Sequence, residues 1–432
     1  MPGHKGKAPF GSEDLYALDT TELPVTDDLY SPERGLRRAE ELYARAVGAS
    51  ETLLIHNGST AGIHAMVQLY AGEGDTVLLP RNAHLSAVNG CVLGGVNAEW
   101  IPVTQRPDGY CYVAEEDVLA SMDRHPQAKA LLLTRPDYYG GCIPLTAITQ
   151  KAHDMGMRVV VDEAHGAHLP WVQGWSALAA GADAVTQSIH KTLPGLTGSA
   201  VLHLRDAADR DRALRVLRRE QTSSPSFLLM MSIDDAREYM ETGGAKRLAD
   251  VMAAVDEVRG QLTAIGYADA QAAWTDTGYT FDRSRLVILA PQGGEALDEA
   301  LRVRGMDVEM HDRERVVMIL TAMDTPEEIR GIAELMKEIE PKPQTLQTLP
   351  EMTALPPRAM QLRQAVMAQS EQVPLCRAAG RVAAQSVGLY PPGVPLAAPG
   401  EIITEEVAAL LMSAGAQGRF GVEGETVLCV RQ

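Results

Sequence analysis

The stretch TQSIHKTLPGLTGSAVLHL, from Thr186 to Leu204, sets a polar turn between two apolar segments. The first segment predicts a strand over Ala182 to Gln187, and the second predicts a strand over Ser199 to Leu204. The turn carries Lys191, preceded by a hydroxyl and an imidazole. A lysine between two buried strands can lose part of its hydration, which lowers the pKa of its amine and suits it to form a covalent link with an aldehyde. We therefore predict that Lys191 holds an aldehyde cofactor, although most loop lysines are simply exposed.

Upstream, the stretch RVVVDEAHGAHLP from Arg158 to Pro170 has a carboxylate at the end of a β-branched run. The run predicts a buried parallel strand, and Asp162 lies at its carboxyl end, where open α/β sheets bind ligands. The interval from Asp162 to Lys191 is long enough for one helix and one further strand, so both side chains could reach the same sheet edge. Pyridoxal 5'-phosphate (PLP) needs a lysine for covalent attachment and an acid that keeps its ring nitrogen protonated. We therefore predict PLP as the cofactor, with these two residues in those roles.

The composition is that of an acidic globular protein. The chain has 432 residues, 45% of them hydrophobic, so it can bury a large core, which we expect to be divided between two domains. Its formal net charge of −18 is unsuited to nucleic-acid backbones, which attract dense Lys and Arg. The five cysteines are scattered, which favours reduced thiols and a cytoplasmic location. No apolar run approaches the roughly 20 residues of a membrane helix, and the N-terminus lacks the apolar core of a signal peptide.

Two further strand-turn-helix patterns come earlier in the chain. Residues 52–56 predict a strand that runs into Asn57-Gly58-Ser59-Thr60, and a helix is predicted from Ala61. Backbone N–H groups at such a helix N-terminus can bind a phosphate, although an ordinary N-cap by Ser59 or Thr60 is the more frequent outcome. In the next unit, over 75–90, His84 would lie at the carboxyl edge of the sheet, where its ring could stack on a cofactor or cap the helix.

Strands alternate with helices from residue 50 to 204, which predicts an α/β fold with a mainly parallel central sheet covered on both faces. The second half predicts a smaller α+β region. An acid in this half, Glu401, lies on a stiff Pro-rich and Gly-rich segment, where it could meet a cationic substrate or cap a helix. The domain boundaries that we predict are an N-terminal arm over 1–20, a PLP-binding large domain over 21–275, a small α+β domain over 276–340, a connector over 341–360 and a C-terminal domain over 361–432.

Taken together, these segments resemble the prokaryotic ornithine/lysine/arginine decarboxylases, PLP-dependent enzymes of the aspartate-aminotransferase fold (fold type I). The resemblance covers almost the whole chain, its motifs occur in the family's order, and the chain length is similar to that of the family's short form. The matching motifs are PGHKG at 2–6, NGST at 57–60, RNAH at 81–84, YYG at 138–140, DEAHGAH at 162–168, SIHKTLPGLT at 188–197, TSSPS at 222–226, YPPGVPL at 390–396 and PGE at 399–401.

The resemblance implies decarboxylation of arginine, lysine or ornithine to a polyamine-pathway amine, in a cytoplasmic homodimer or higher oligomer with shared active sites. Lys191 would form the covalent link, Asp162 would hold the pyridine nitrogen, His84 would stack on the ring, and Lys191 and His84 would be the proton sources. Glu401 would contact the distal amine or guanidinium of the substrate. The remaining cofactor contacts would come from Ser59, Thr60, His165, Ser188 and His190, joined by Thr222 or Ser223 of a second subunit.

Three positions depart from the family pattern. The family commonly has lysine at Leu85, glutamine at Gly198 and threonine or asparagine at Asp137. The last two are expected near the ligand, where they could alter substrate choice or weaken activity. Two other functions therefore stay open, namely a PLP-dependent aminotransferase and a catalytically weak PLP-binding regulator.

Two readings outside PLP chemistry are disfavoured. DEAH at 162–165 matches the acidic box of DEAH helicases, but the sequence contains no GxxxxGK[ST] phosphate loop and its charge is strongly negative. A metal site formed by Asp162, His165 and His168 is possible by ligand type, but no second cluster of ligands supports it, and we predict no metal.

Overall fold

The computed structural model of this chain describes residues 13–23, 25–172, 174–343, 355–389, 393–414 and 418–431. The PGHKG motif lies outside the described residues, as do most of the predicted arm and connector and the first three residues of YPPGVPL. Fourteen α-helices occur within the described ranges. They are α1 (Glu13–Leu18), α2 (Gly35–Val47), α3 (Gly58–Tyr70), α4 (Leu85–Gly94), α5 (Glu115–Arg124), α6 (Thr146–Asp154), α7 (Ile189–Thr192), α8 (Arg210–Glu220), α9 (Phe227–Tyr239), α10 (Ala245–Ala264), α11 (Gly294–Arg302), α12 (Pro326–Lys337), α13 (Leu362–Met367) and α14 (Glu405–Ser413).

A seven-stranded sheet occupies the centre of the first half of the chain. Its strands are β1 (Glu51–Ile55), β2 (Thr76–Pro80), β3 (Asn97–Ile101), β4 (Ala130–Thr134), β5 (Arg158–Asp162), β6 (Ala184–Ser188) and β7 (Ala200–Leu204). Their order in space is β1-β7-β6-β5-β4-β2-β3, and only β7 runs against the others. The predicted mainly parallel sheet is therefore confirmed, and the carboxyl ends of six strands lie along one edge.

Both faces of this sheet are buried, as predicted. In β4, Leu131 and Leu133 belong to one apolar core cluster, whereas Ala130 and Leu132 belong to another. Because successive side chains of a strand point to opposite faces, these two clusters lie on opposite sides of the sheet. This arrangement explains why the strands read as continuous apolar runs rather than alternating ones.

The second half of the chain builds smaller antiparallel sheets. Strands β8 (Ala268–Asp269), β9 (Arg285–Leu289), β10 (Met310–His311) and β11 (Arg315–Ile319) form one sheet in the order β8-β9-β11-β10. Apolar residues of α10 and α12 share a core cluster with this sheet, and Thr325 and Glu328 form a capping box at the start of α12. The C-terminal region has two three-stranded sheets, built from β12 (Ser370–Pro374), β13 (Val387–Leu389), β14 (Pro395–Ala397), β15 (Arg419–Phe420), β16 (Val422–Glu423) and β17 (Thr426–Val430).

Two short ribbons complete the strands of the described ranges. Thr104–Gln105 pairs with Cys111–Tyr112, and Gly141–Cys142 pairs with Thr280–Phe281. The second ribbon ties the loop that follows β4 to the segment that precedes β9. The small sheet is thereby held beside the carboxyl edge of the large one, which is where the predicted site residues lie.

Candidate active site

The carboxyl edge of the large sheet brings the first site residues together. Thr134 at the end of β4 is in register with Asp162 at the end of β5, and Asp162 is in register with Thr186 of β6. Ser188 ends β6, and the single helical turn α7 that follows it carries Lys191. The lysine and the carboxylate therefore lie at the same edge, as the spacing of the two motifs predicted.

Lys191 is exposed as a residue, but its amine contacts protein groups as well as water. Its Nζ lies 3.1 Å from His165 Nε2, in the loop that follows β5. Burial is the main cause that lowers the pKa of Lys191, and the charge of Arg285 adds to it, whereas Asp162 and Glu309 oppose it. Burial also lowers the pKa of His165, to about 2, so its ring is neutral and Nε2 can accept a hydrogen bond from the amine. The amine is held in a place where its free-base form is favoured relative to an ordinary surface lysine.

Asp162 is a buried carboxylate, 3% exposed. Its Oδ1 accepts a hydrogen bond from the Ala164 backbone N–H at 3.1 Å, and Oδ2 hydrogen-bonds to no described residue. Burial raises the pKa of Asp162, whereas the charges of His84 and Lys191 act to lower it. These mutual effects mean that the three predicted catalytic groups sit within electrostatic reach of one another.

His84 precedes α4 and caps it. Its Nδ1 accepts from the Ser86 backbone N–H at 3.2 Å and lies 2.7 Å from the Ser86 hydroxyl. Burial lowers the pKa of His84, so the ring favours its neutral form. The helix-capping alternative is therefore confirmed, whereas stacking of the ring on a cofactor stays a prediction; the charges of Asp162 and Lys191 act on this ring.

The N-terminus of α3 lies at the same edge, because β1 runs in the same direction as β6. The Ser188 hydroxyl donates to the Ser59 hydroxyl at 2.8 Å, so two of the predicted phosphate ligands are in direct contact. Thr60 is exposed on the first turn. The helix begins after Asn57, which makes no side-chain cap, so neither Ser59 nor Thr60 is the N-cap. First-turn N–H groups are thus available for an anion.

Three of the predicted cofactor residues are less closely connected to this cluster. His190 Nδ1 donates to the Ser199 backbone carbonyl at 3.0 Å, so its ring is held against β7. Thr222 and Ser223 are exposed, and the Thr222 carbonyl accepts from the Tyr30 phenol at 2.7 Å. Within one chain their hydroxyls contact none of the residues around Lys191, which leaves the expectation that they act across a subunit interface as a prediction.

The expectation for Glu401 needs correction. Its carboxylate is 2% exposed and accepts from Arg81 Nη1 at 2.8 Å, Arg81 Nη2 at 2.7 Å, Trp100 Nε1 at 2.8 Å and the Ala398 backbone N–H at 2.8 Å. Both oxygens are therefore occupied by donors of the same chain. A substrate cation would have to break this buried ion pair, so the contacts assign Glu401 a structural role instead.

Of the three departures from the family pattern, the structure explains two, Asp137 and Gly198. Asp137 accepts from the Tyr110 phenol at 2.5 Å and from the backbone N–H groups of Tyr139 and Gly141, so its carboxylate closes the turn after β4. Gly198 has a φ of +98°, which favours glycine, and its carbonyl accepts from the Gly58 N–H at 2.8 Å. Leu85 is half exposed at the first position of α4, and nothing in its surroundings explains the loss of a lysine.

Three residues near Lys191 were not identified as site residues from the sequence. Arg285, fully buried at the start of β9, donates to the Tyr138 carbonyl at 2.9 Å and to the His165 carbonyl at 3.2 Å. The Tyr138 ring packs edge-on against His165, with centroids 5.0 Å apart. The Tyr138 phenol donates to Glu309 Oε1 at 2.8 Å. Arg285 begins β9 of the small sheet and Glu309 immediately precedes β10, far along the chain, and no local pattern in the sequence marks either residue.

The described residues fit PLP. Oδ2 of Asp162 is free to accept from a ring N–H, and the hydroxyls of Ser59 and Ser188 lie beside uncapped N–H groups of α3. Thr134 Oγ1 and His165 Nδ1 are buried without a hydrogen-bond partner among the described residues, as expected of groups that face a ligand. In the same ranges, no three His, Cys, Asp or Glu side chains are arranged to hold a metal ion, and His168 instead pairs with Asp282 at 2.9 Å.

Comparison with known proteins adds independent findings. The family model described as Orn/Lys/Arg decarboxylase, major domain, matches residues 6–279, and the model of the C-terminal domain of the same family matches residues 340–417. A protein named arginine decarboxylase from Bacillus subtilis is 32% identical over 437 residues, which cover 94% of this chain and 88% of the relative. Within the described ranges, no helix combines the length and hydrophobicity that a bilayer crossing requires.

Solved structures show the same fold. The structure of Escherichia coli constitutive lysine decarboxylase aligns with a TM-score of 0.82 and 20% identity, covering all of this chain and 79% of the other. A structure described as SPT with PLP aligns with a TM-score of 0.56 and 18% identity, covering 70% of this chain and 75% of the other. The expected fold class is therefore confirmed.

Proposed function

The chain belongs to the Orn/Lys/Arg decarboxylase family, and from this premise we propose that it converts arginine into agmatine and CO2 with PLP as its cofactor. It is a decarboxylase of a basic amino acid, as its family and its relatives indicate. The choice of arginine rests on the Bacillus subtilis relative, which is named arginine decarboxylase and is similar along nearly its whole length. The single observation that supports the chemistry best is that the Lys191 amine and the Asp162 carboxylate share one sheet edge.

PLP would supply an electron sink for the pair of electrons that the Cα–carboxylate bond leaves behind. Lys191 would hold the cofactor covalently and give up that link to the substrate amine, a step that its lowered pKa assists. Asp162 would accept a hydrogen bond from the ring nitrogen through its free Oδ2 and keep that nitrogen protonated. Ser59 and Ser188, with the N–H groups of α3, would bind the phosphate.

Proton transfer completes the reaction. Once CO2 has left, Cα must take up a proton to give the amine. Lys191 is the first candidate donor, because its amine would be released beside Cα, and the neutral His165 ring 3.1 Å away can orient that amine by accepting a hydrogen bond from it. His84 is the second candidate that the resemblance implies, and the charges of Asp162 and Lys191 act on its ring; it would donate a proton only from its charged form. Arg285 holds the carbonyls of Tyr138 and His165, and so it keeps the His165 loop in place.

The assembly and context are part of the same proposal. We expect at least a homodimer, in which Thr222 or Ser223 of one subunit reaches the phosphate of the other, because neither meets the site within its own chain. The scattered cysteines favour a cytoplasmic location. Agmatine is a precursor of polyamines, so we propose that the activity serves polyamine biosynthesis.

One assay separates this proposal from its alternatives. The purified protein is loaded with PLP and incubated in turn with arginine, lysine and ornithine, and CO2 and the product amine are measured. Agmatine with equal CO2, at a higher kcat/KM than the other two substrates give, supports the proposal. Cadaverine as the main product would identify lysine, and putrescine would identify ornithine, as the substrate in place of arginine. A keto acid without CO2 would indicate an aminotransferase, and a stable lysine-bound cofactor without turnover would indicate a regulator.

A further inference from the structure

The site needs an acid for the distal cation of a basic substrate, and the two acids named among the site residues are already engaged. Asp162 is assigned to the ring nitrogen, and Glu401 is buried in its ion pair with Arg81. The charges of two carboxylates act on the Lys191 amine, those of Asp162 and Glu309. Glu309 is therefore the carboxylate that remains near the reacting amine.

Glu309 is connected to Lys191 by a short series of contacts. It immediately precedes β10, the edge strand of the small sheet. Its Oε1 accepts from the Tyr138 phenol at 2.8 Å, the Tyr138 ring packs against His165 at a centroid distance of 5.0 Å, and His165 Nε2 lies 3.1 Å from Lys191 Nζ. The phenol therefore holds the carboxylate of Glu309, an exposed residue, at the end of a series of three contacts that leads to Lys191.

The carboxylate of Glu309 also has room for a cationic partner. No arginine, lysine or histidine among the described residues forms an ion pair with it, and Oε2 accepts no hydrogen bond there. Nearby acids are occupied, since Asp307 lies 3.7 Å from Arg302 Nε and Asp312 lies 3.0 Å from Arg315 Nε. A guanidinium presents two parallel N–H donors, and a carboxylate with one free oxygen and one shared oxygen can accept both.

We propose that Glu309 binds the distal guanidinium of the substrate, with Tyr138 orienting its carboxylate, and so selects a dibasic amino acid. This inference rests on the proposed function, because it names the group that recognises the far end of that substrate. It gives the small sheet a direct part in substrate choice. The large sheet then provides the cofactor site, and the small sheet provides the specificity.

The test is the Glu309→Gln variant, which keeps the size and the hydrogen bond from Tyr138 but removes the charge. Asp307→Asn is the matched control. Asp307 lies two residues before Glu309, its side chain is 88% exposed, and the substitution removes the same charge. The PLP-loaded proteins are titrated by calorimetry with agmatine and with pentylamine, which lacks the guanidinium. kcat/KM for arginine and the visible absorbance of the lysine-bound cofactor are measured in parallel.

For Glu309→Gln, we expect the Kd of agmatine to rise and kcat/KM for arginine to fall by roughly 10- to 150-fold, the loss expected for a hydrogen bond to a charged group. The Kd of pentylamine and the cofactor absorbance should stay unchanged, and Asp307→Asn should behave like the wild type. If Glu309→Gln matches Asp307→Asn while the wild type decarboxylates arginine, the role of Glu309 is refuted and the proposed function stands. If the wild type releases no CO2 from any basic amino acid, the proposed function itself fails, and this inference fails with it.

Discussion

Replacing Glu401 by alanine should lower the free energy of unfolding rather than weaken substrate binding. The carboxylate accepts four hydrogen bonds, two from Arg81, one from Trp100 and one from the Ala398 backbone, and the Arg81 side chain is only 1% exposed. The variant would therefore leave a buried guanidinium without its counter-charge, although Arg81 Nε keeps the Pro395 carbonyl at 2.9 Å. Removing one partner of a buried ion pair costs about 3–5 kcal/mol of unfolding free energy.

Urea unfolding followed by circular dichroism measures this loss. The matched control is the double variant Arg81→Met with Glu401→Leu, which removes both charges and should be less destabilised than Glu401→Ala alone. The reasoning would be refuted if Glu401→Ala unfolded within about 0.5 kcal/mol of the wild type, the range of ordinary surface substitutions, while KM for arginine rose strongly. That result would return Glu401 to the substrate.

Three further outcomes follow from individual side chains. Burial raises the pKa of Asp137 from 3.8 to about 6, so its carboxyl contributes stability below pH 4 that is lost as pH rises through 6. The stability deficit of Asp137→Asn should therefore shrink between pH 4 and pH 7.5 in urea titrations, and a constant deficit would contradict the raised pKa. Gly198→Ala should lower the free energy of unfolding by about 1–2 kcal/mol, because alanine is strained at a φ of +98°. The added Cβ would cause no clash, since its nearest neighbour would be Leu229 at 3.6 Å, so the loss reports the backbone strain alone. An unchanged urea midpoint would contradict this prediction. In the cofactor-free protein, Lys191 should become reactive towards acetic anhydride at a pH below 10.5, as read by mass spectrometry, because its pKa is lowered. In Asp162→Asn this pH should fall further, because the variant lacks the Asp162 carboxylate, which raises the pKa of the amine.

Most of the fold could be predicted from local patterns. The apolar runs that become β4, β5 and β6 and the helices between them follow from hydrophobic periodicity, because each element carries its own signal. The strand ending at Asp162 and the turn carrying Lys191 fix two points on one sheet edge, and the parallel pairing of β5 with β6 brings them together. Strand ends differ by one or two residues from prediction, since pairing rather than composition determines them.

The rest of the site depends on contacts between distant segments. Arg285 reads in the sequence as the first residue of an ordinary strand, yet it holds two loops of the large domain. Glu309 carries no motif, and its proximity to Lys191 arises only because the small sheet packs beside the large one. Glu401 shows the opposite case: its rigid segment suggested a binding residue, but the partner that neutralises it lies more than 300 residues earlier at Arg81. Such pairings have no signature within a sequence window.

The most direct test of the central claim is to locate the covalent bond to the cofactor. The protein is loaded with PLP, reduced with borohydride, digested and mapped by mass spectrometry, alongside Lys191→Ala. We predict that the pyridoxyl mass appears on the peptide containing Lys191, and that Lys191→Ala shows neither this mass nor the visible absorbance of a lysine-bound cofactor. Labelling of a different lysine, or an undiminished visible absorbance in Lys191→Ala, would contradict the assignment on which the proposed chemistry depends.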